Sequence, residues 1–147
     1  GQDVDILVDA GQVWDWKTAL QRAESFAEYD IFWLEEPLHP QDVAGYSQLC
    51  AASPVPIATG EAESNLTNFE RLLTEGEIDW VQPDPGRCGI SNMVAIGRMA
   101  HKMHRKSGKT TTSNYWSRMD IDADAATAQC FTTPRRMHVL WSMETTS

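Results

Sequence analysis

One pattern restricts the folds open to this chain more than any other. Short apolar strands alternate with helix-length amphipathic stretches along almost its whole length. Segments 5–9, 31–34, 56–59, 78–82, 109–113 and 137–141 read as strands. Segments 15–29, 41–52, 66–75, 91–106 and 121–131 read as helices. The helices are read from their period: Ala19, Leu20, Ala23, Phe26 and Ala27 fall on one face of the first, and Leu66, Phe69, Leu72 and Leu73 on one face of the third. Asn65 is placed to cap that third helix, and Gly76 follows its end. The last of the five, 121–131, is read as helix because it is rich in alanine. Strands separated by helices predict right-handed βαβ units on a parallel sheet. No linker or low-complexity segment interrupts the pattern, so residues 1–147 read as one unit.

Acids punctuate this pattern. Asp9, Glu35, Glu61 and Asp84 stand at the ends of the first four strands, spaced by 26, 26 and 23 residues. One βα unit of an eight-unit barrel of ~250 residues takes roughly that length. The four acids therefore hold the same place in four successive units, the C-terminal ends of the strands, where parallel α/β folds build their sites. Strands lie about 4.8 Å apart. Three carboxylates converging from neighbouring strands repel one another unless a cation sits between them. Mg²⁺, with Mn²⁺ as a substitute, suits an oxygen-only set that leaves room for water or substrate.

Composition excludes other classes. The chain has 12 Lys+Arg against 21 Asp+Glu, a net charge of −9. An acidic chain without a clustered basic face is a poor partner for nucleic acid or anionic lipid. No apolar run approaches the ~20 residues of a membrane span. Cys50, Cys88 and Cys130 are odd in number and lack metal-site spacing, so reduced thiols and a cytoplasmic protein are expected.

The residues around the acids narrow the reading further. They are Val8-Asp-Ala-Gly11, Trp33-Leu-Glu-Glu-Pro-Leu38, Ala58-Thr-Gly-Glu61 and Gln82-Pro-Asp-Pro-Gly-Arg-Cys-Gly89. In this order and spacing they resemble the enolase superfamily, and within it the mandelate racemase/muconate lactonizing enzyme group. The resemblance implies an α/β fold, a partial TIM-type (β/α) barrel of about six parallel strands. It implies that Asp9, Glu35 and Glu61 ligate Mg²⁺ and that Glu36 supports them. It also implies removal of the proton α to a substrate carboxylate through an enediolate. Asp84 matches an aspartate that holds a catalytic histidine on the next strand. Asn114 occupies that histidine's place, and an amide cannot act as a general base. Leu140 stands where a glutamate is expected, with Glu144 a few residues beyond. His101 and His104 read as helix-surface residues and His138 as structural. The family's lysine base precedes Asp9 by one unit, before Gly1, as does its substrate-selecting N-terminal domain. The chain, opening without Met, is thus expected to be a C-terminal catalytic barrel piece, silent on its own.

The enzyme reading is a sugar-acid (hydroxy-acid) dehydratase acting on a small carboxylate, homo-oligomeric in its full-length form. Racemase/epimerase and cycloisomerase are the alternatives within the group. A catalytically silent metal-binding fragment or decayed homologue is the alternative outside it. Arg87 and Trp116 are candidate substrate contacts, though Arg87 also suits an ion pair with a nearby acid. Trp14 and Trp16 fit either the barrel mouth or helix packing, whereas Trp33 and Trp80 read as core. Asp120, Asp122 and Asp124 lack the glycine and distal Glu of a calcium loop, and read as helix N-terminal charge.

Overall fold

The computed structural model describes residues 4–107, 111–112, 119–122, 127–130 and 136–141, with side chains described within 5–103. β1 (Val4–Asp9) leads to α1 (Trp16–Phe26), which tightens into a 3₁₀ turn over Ala27–Tyr29. β2 (Trp33–Glu35), α2 (Val43–Ala52), β3 (Ile57–Thr59), α3 (Leu66–Thr74) and β4 (Trp80–Val81) follow. Then come the single turn α4 (Pro85–Cys88), the long α5 (Ile90–Ser107) and β5 (Thr111–Thr112). β6 (Met119–Asp122), β7 (Thr127–Cys130) and β8 (Arg136–Trp141) complete the described elements.

The helices begin where side chains can satisfy the first free N–H groups. Asp15 accepts from Thr18 N at 2.8 Å, Asp42 from Gly45 N at 2.9 Å, and Asn65 from Thr67 N at 2.9 Å. β2 starts two residues later than its sequence pattern predicts. Asp30 is left-handed (φ 50°) and ends the 3₁₀ turn, and Phe32 N already bonds Ile6 O at 2.7 Å.

Six strands form one parallel sheet in the order β5-β4-β3-β2-β1-β8. All six correspond to predicted strands. The last strand pairs with β1, Val4 opposite Arg136 and Asp9 opposite Trp141, so it lies on the far edge from β5. The helix expected over 121–131 is not formed. Residues 119–122 and 127–130 instead pair as a separate antiparallel ladder, Met119 opposite Cys130. Alanine favours helix only weakly, and cross-strand pairing overrides such a preference.

Strand alternation gives the sheet two faces. Val8, Leu34, Ile57 and Val81 enter the core shared with the helices, built around Tyr46, Leu49, Phe69, Leu72, Leu73 and Ile96. Leu7, Trp33 and Ala58 are buried on the opposite, inner face, with Trp80 packed against them. Phe32, Trp33 and Trp80 meet there in tilted ring contacts 5.1–5.4 Å apart. Trp14 and Trp16 pack against the helix-side core, which decides their role as helix packing. His101 is half-buried, not on the helix surface, and its Nε2 has no hydrogen-bond partner among the described residues. Neither Cys50 nor Cys88 is in a disulfide among the described residues. Among the described residues, no helix is long and apolar enough to cross a membrane.

Candidate metal centre at the strand ends

Parallel pairing fixes where the acids sit. Asp9 and Glu35 are the last residues of neighbouring strands and stand directly opposite each other. The pairing continues past the strands: Ala10 N bonds Glu35 O at 2.9 Å, and Glu36 N bonds Ala58 O at 2.9 Å. Glu61 follows β3 after Gly60, whose φ of +124° suits glycine. A Cβ at Gly60 would also lie 2.9 Å from Phe69 Cε1, so the turn that delivers Glu61 needs a residue without a side chain. Asp84 follows β4 and caps α4, its Oδ1 accepting from Gly86 N at 2.7 Å, with Pro85 at the first helical position. All four acids thus open on the C-terminal end of the sheet.

Glu35 is the most constrained of them, only 3% exposed. Trp33 Nε1 donates to its Oε2 at 2.9 Å. Burial pushes the Glu35 carboxyl up to about 7; the Trp33 N–H opposes this, the Asp9 charge adds to it, the Gln82 amide opposes it, and the Glu61 charge adds to it. Glu61 is raised as well, first by burial and then by Glu36, Asp9 and Asp84, with Arg87 in opposition. These carboxylates lie within each other's fields and are not neutralised by one another.

The neighbouring acids have local partners. Asp9 Oδ1 accepts from Gly11 N at 2.9 Å. Glu36 sits in the left-handed region (φ 42°) and is buried. Its carboxylate accepts from Gln12 Nε2 at 2.6 Å and from Ala62 N at 3.2 Å. It therefore ties the loop after β1 to the loop that carries Glu61. Arg87 is exposed and its Nε lies 3.9 Å from Asp84 Oδ2, an ion pair with its own loop. Asn114 and Trp116 lie outside the described residues, as does Glu144.

Among the described residues, no three His, Cys, Asp or Glu side chains are gathered into a ready-made metal cage. Asp9 is turned toward its own loop by its hydrogen bond with Gly11 N. The donor chemistry still fits a hard divalent ion. The acids on this rim offer only oxygen, and Glu35 and Glu61 are raised by burial and then by neighbouring negative charge.

Sequence reasoning passed over Gln82. It is 2% exposed, and neither amide atom has a hydrogen-bond partner among the described residues. The signal lay in strand alternation. Trp80 faces inward, so Gln82, two residues on, continues that face at the rim.

Comparison with known proteins agrees with this geometry. The family described as enolase C-terminal domain-like matches residues 1–145. L-talarate/galactarate dehydratase of Salmonella typhimurium is 39% identical over 107 residues, covering 72% of this chain and 27% of that protein. L-rhamnonate dehydratase of Saccharopolyspora erythraea is 37% identical over 103 residues, covering 68% and 26%. The chain spans about a quarter of the length of these relatives. A crystal structure of the Salmonella typhimurium LT2 dehydratase, liganded with Mg and L-lyxarohydroxamate, superposes with a TM-score of 0.66 at 38% identity, covering 70% of this chain and 27% of that one. A mandelate racemase/muconate lactonizing enzyme from Polaromonas sp. JS666 superposes with a TM-score of 0.71 at 27% identity, covering 95% and 36%. By sequence and by fold, this chain belongs to the enolase C-terminal domain-like family, alongside the mandelate racemase/muconate lactonizing enzymes and the sugar-acid dehydratases.

Proposed function

We propose that this chain is the acid-bearing part of a Mg²⁺-dependent sugar-acid dehydratase. Asp9, Glu35 and Glu61 hold the cation. Glu36 braces the loop that presents Glu61, and Asp84 organises the turn after β4. When bound there, Mg²⁺ supplies positive charge that stabilises negative charge developing on a substrate carboxylate. The protein's own residues do the rest. The buried Trp33–Glu35 pair fixes one ligand from below, and the inner-face aromatics close off the floor beneath it. Dehydration is favoured over racemisation because the position matched to a second base carries Asn114, which cannot take a proton. The substrate class follows the dehydratases that share 32–39% of aligned residues with this chain. The carrying observation is Glu35 itself: a carboxylate 3% exposed, raised by burial and by two neighbouring acids.

Thermal unfolding with and without Mg²⁺ tests the reading. Mg²⁺ raises the melting temperature of the wild-type chain, and Glu61→Gln abolishes the rise. Equal responses in the two proteins would remove the metal assignment. Incubation of the isolated chain with a panel of sugar acids is expected to give no turnover. Metal-dependent turnover would place the base within these 147 residues.

A further inference from the structure

Gln82 is the least explained polar group near the strand ends. Both amide atoms are buried and unpartnered among the described residues. Leaving such a group unsatisfied is costly, and buried polar atoms in folded proteins nearly always have partners. The inner-face neighbours Leu7, Trp33, Ala58 and Trp80 form an apolar cluster. Only the two tryptophans among these carry a polar side-chain atom, an indole N–H each, and that of Trp33 is already given to Glu35.

The register shows what Gln82 can serve. Glu35 is opposite Ala58, and Ala58 is opposite Trp80. Gln82 N bonds Thr59 O at 2.9 Å, which carries the β3–β4 pairing up to the rim. Glu35 and Gln82 therefore flank β3 from its two sides, Gln82 one inner-face step beyond the level of Glu35. Between them on this face, β3 and its continuation present only Ala58 and Gly60, at most a methyl group.

We propose that Gln82 is a positioning residue that donates an N–H to the Glu35 carboxylate when a cation is bound. Trp33 from below and Gln82 from the side then fix the carboxylate plane, leaving its remaining lone pairs to the ion. The assignment rests on the reading of Glu35 as a cation ligand.

Titration calorimetry of the 147-residue chain with Mg²⁺, paired with the melting temperature of the metal-free protein, tests it. Gln82→Leu should weaken Mg²⁺ binding by about 10- to 100-fold, the usual effect of losing a group that orients a metal ligand. The metal-free melting temperature should hold or rise, because an unpartnered buried amide has been replaced by an apolar side chain. Gln82→Met keeps the length and removes the donor; it should behave the same and carries the test should Gln82→Leu not fold. A residue with only a packing role would lower the metal-free melting temperature and leave Mg²⁺ affinity within twofold of wild type, and that result overturns the proposal. Wild-type binding that Glu61→Gln abolishes, with both Gln82 variants binding normally, overturns the Gln82 role alone. No binding by the wild type overturns the metal reading and this assignment together.

Discussion

The two faces of the parallel sheet follow different rules. On the helix side, Leu34, Tyr46, Leu49, Ile57, Phe69, Leu72 and Ile96 are fully buried. The one polar group among them is satisfied: the Tyr46 hydroxyl donates to Leu38 O at 2.7 Å and shares a 2.9 Å hydrogen bond with Thr59. On the inner face the apolar floor is small, and it leads upward to a raised carboxyl and an unpartnered amide. One face maximises packing. The other keeps polar groups in a condition that favours a charged guest.

The contrast places the largest stability loss on the helix side. Phe69→Ala should cost about 3–5 kcal/mol in urea denaturation, because a fully buried ring leaves a cavity. A loss below 1 kcal/mol would show that the helix-side core is not the scaffold.

The inner face should report through pH. Glu35 has an ordinary value of 4.5 and is raised to about 7, so the folded chain holds this proton more tightly than the unfolded one. The stability it contributes is full below about 4.5 and is lost as pH climbs through 7. At 1.36 kcal/mol per unit, the loss is about 3 kcal/mol. Denaturation of the metal-free chain at pH 4.5 and 7.5 measures it. Glu35→Gln should flatten most of the dependence, and a slope unchanged by that substitution would remove Glu35 as its source.

Tyr46→Phe should cost about 1–3 kcal/mol by leaving the buried Leu38 carbonyl without its donor, independent of Mg²⁺. A matching change in Mg²⁺ affinity would show that the two faces are coupled. Smallest is Arg71→Ala. Its pair with Glu75 (3.2 Å) is exposed, and the expected loss is at most about 0.5 kcal/mol.

Much of this contrast was legible beforehand. Period-3.6 apolar residues found the helix side, the Asn65 cap marked the start of α3, and acid spacing found the rim. Three things were not. The antiparallel pair at 119–122 and 127–130 depends on a partner strand, which local alanine content does not report. Trp14 and Trp16 have the same composition whether they line a mouth or pack a helix, and only the packing separates them. Gln82 follows from alternation, but its lack of a partner is a property of three strands together.

The pairing of β8 with β1 has a kinetic consequence. Residue 4 lies against residue 136, so this edge of the sheet joins segments from nearly opposite ends of the chain. The β1–β2, β2–β3 and β3–β4 pairs each close over one βα unit and can form early. The final edge must wait for a loop spanning most of the sequence, and its closure entropy grows with that span. Among the described strands, β1 has no partner on that side until β8 reaches it. Until then its unpaired backbone is open to pairing with another chain.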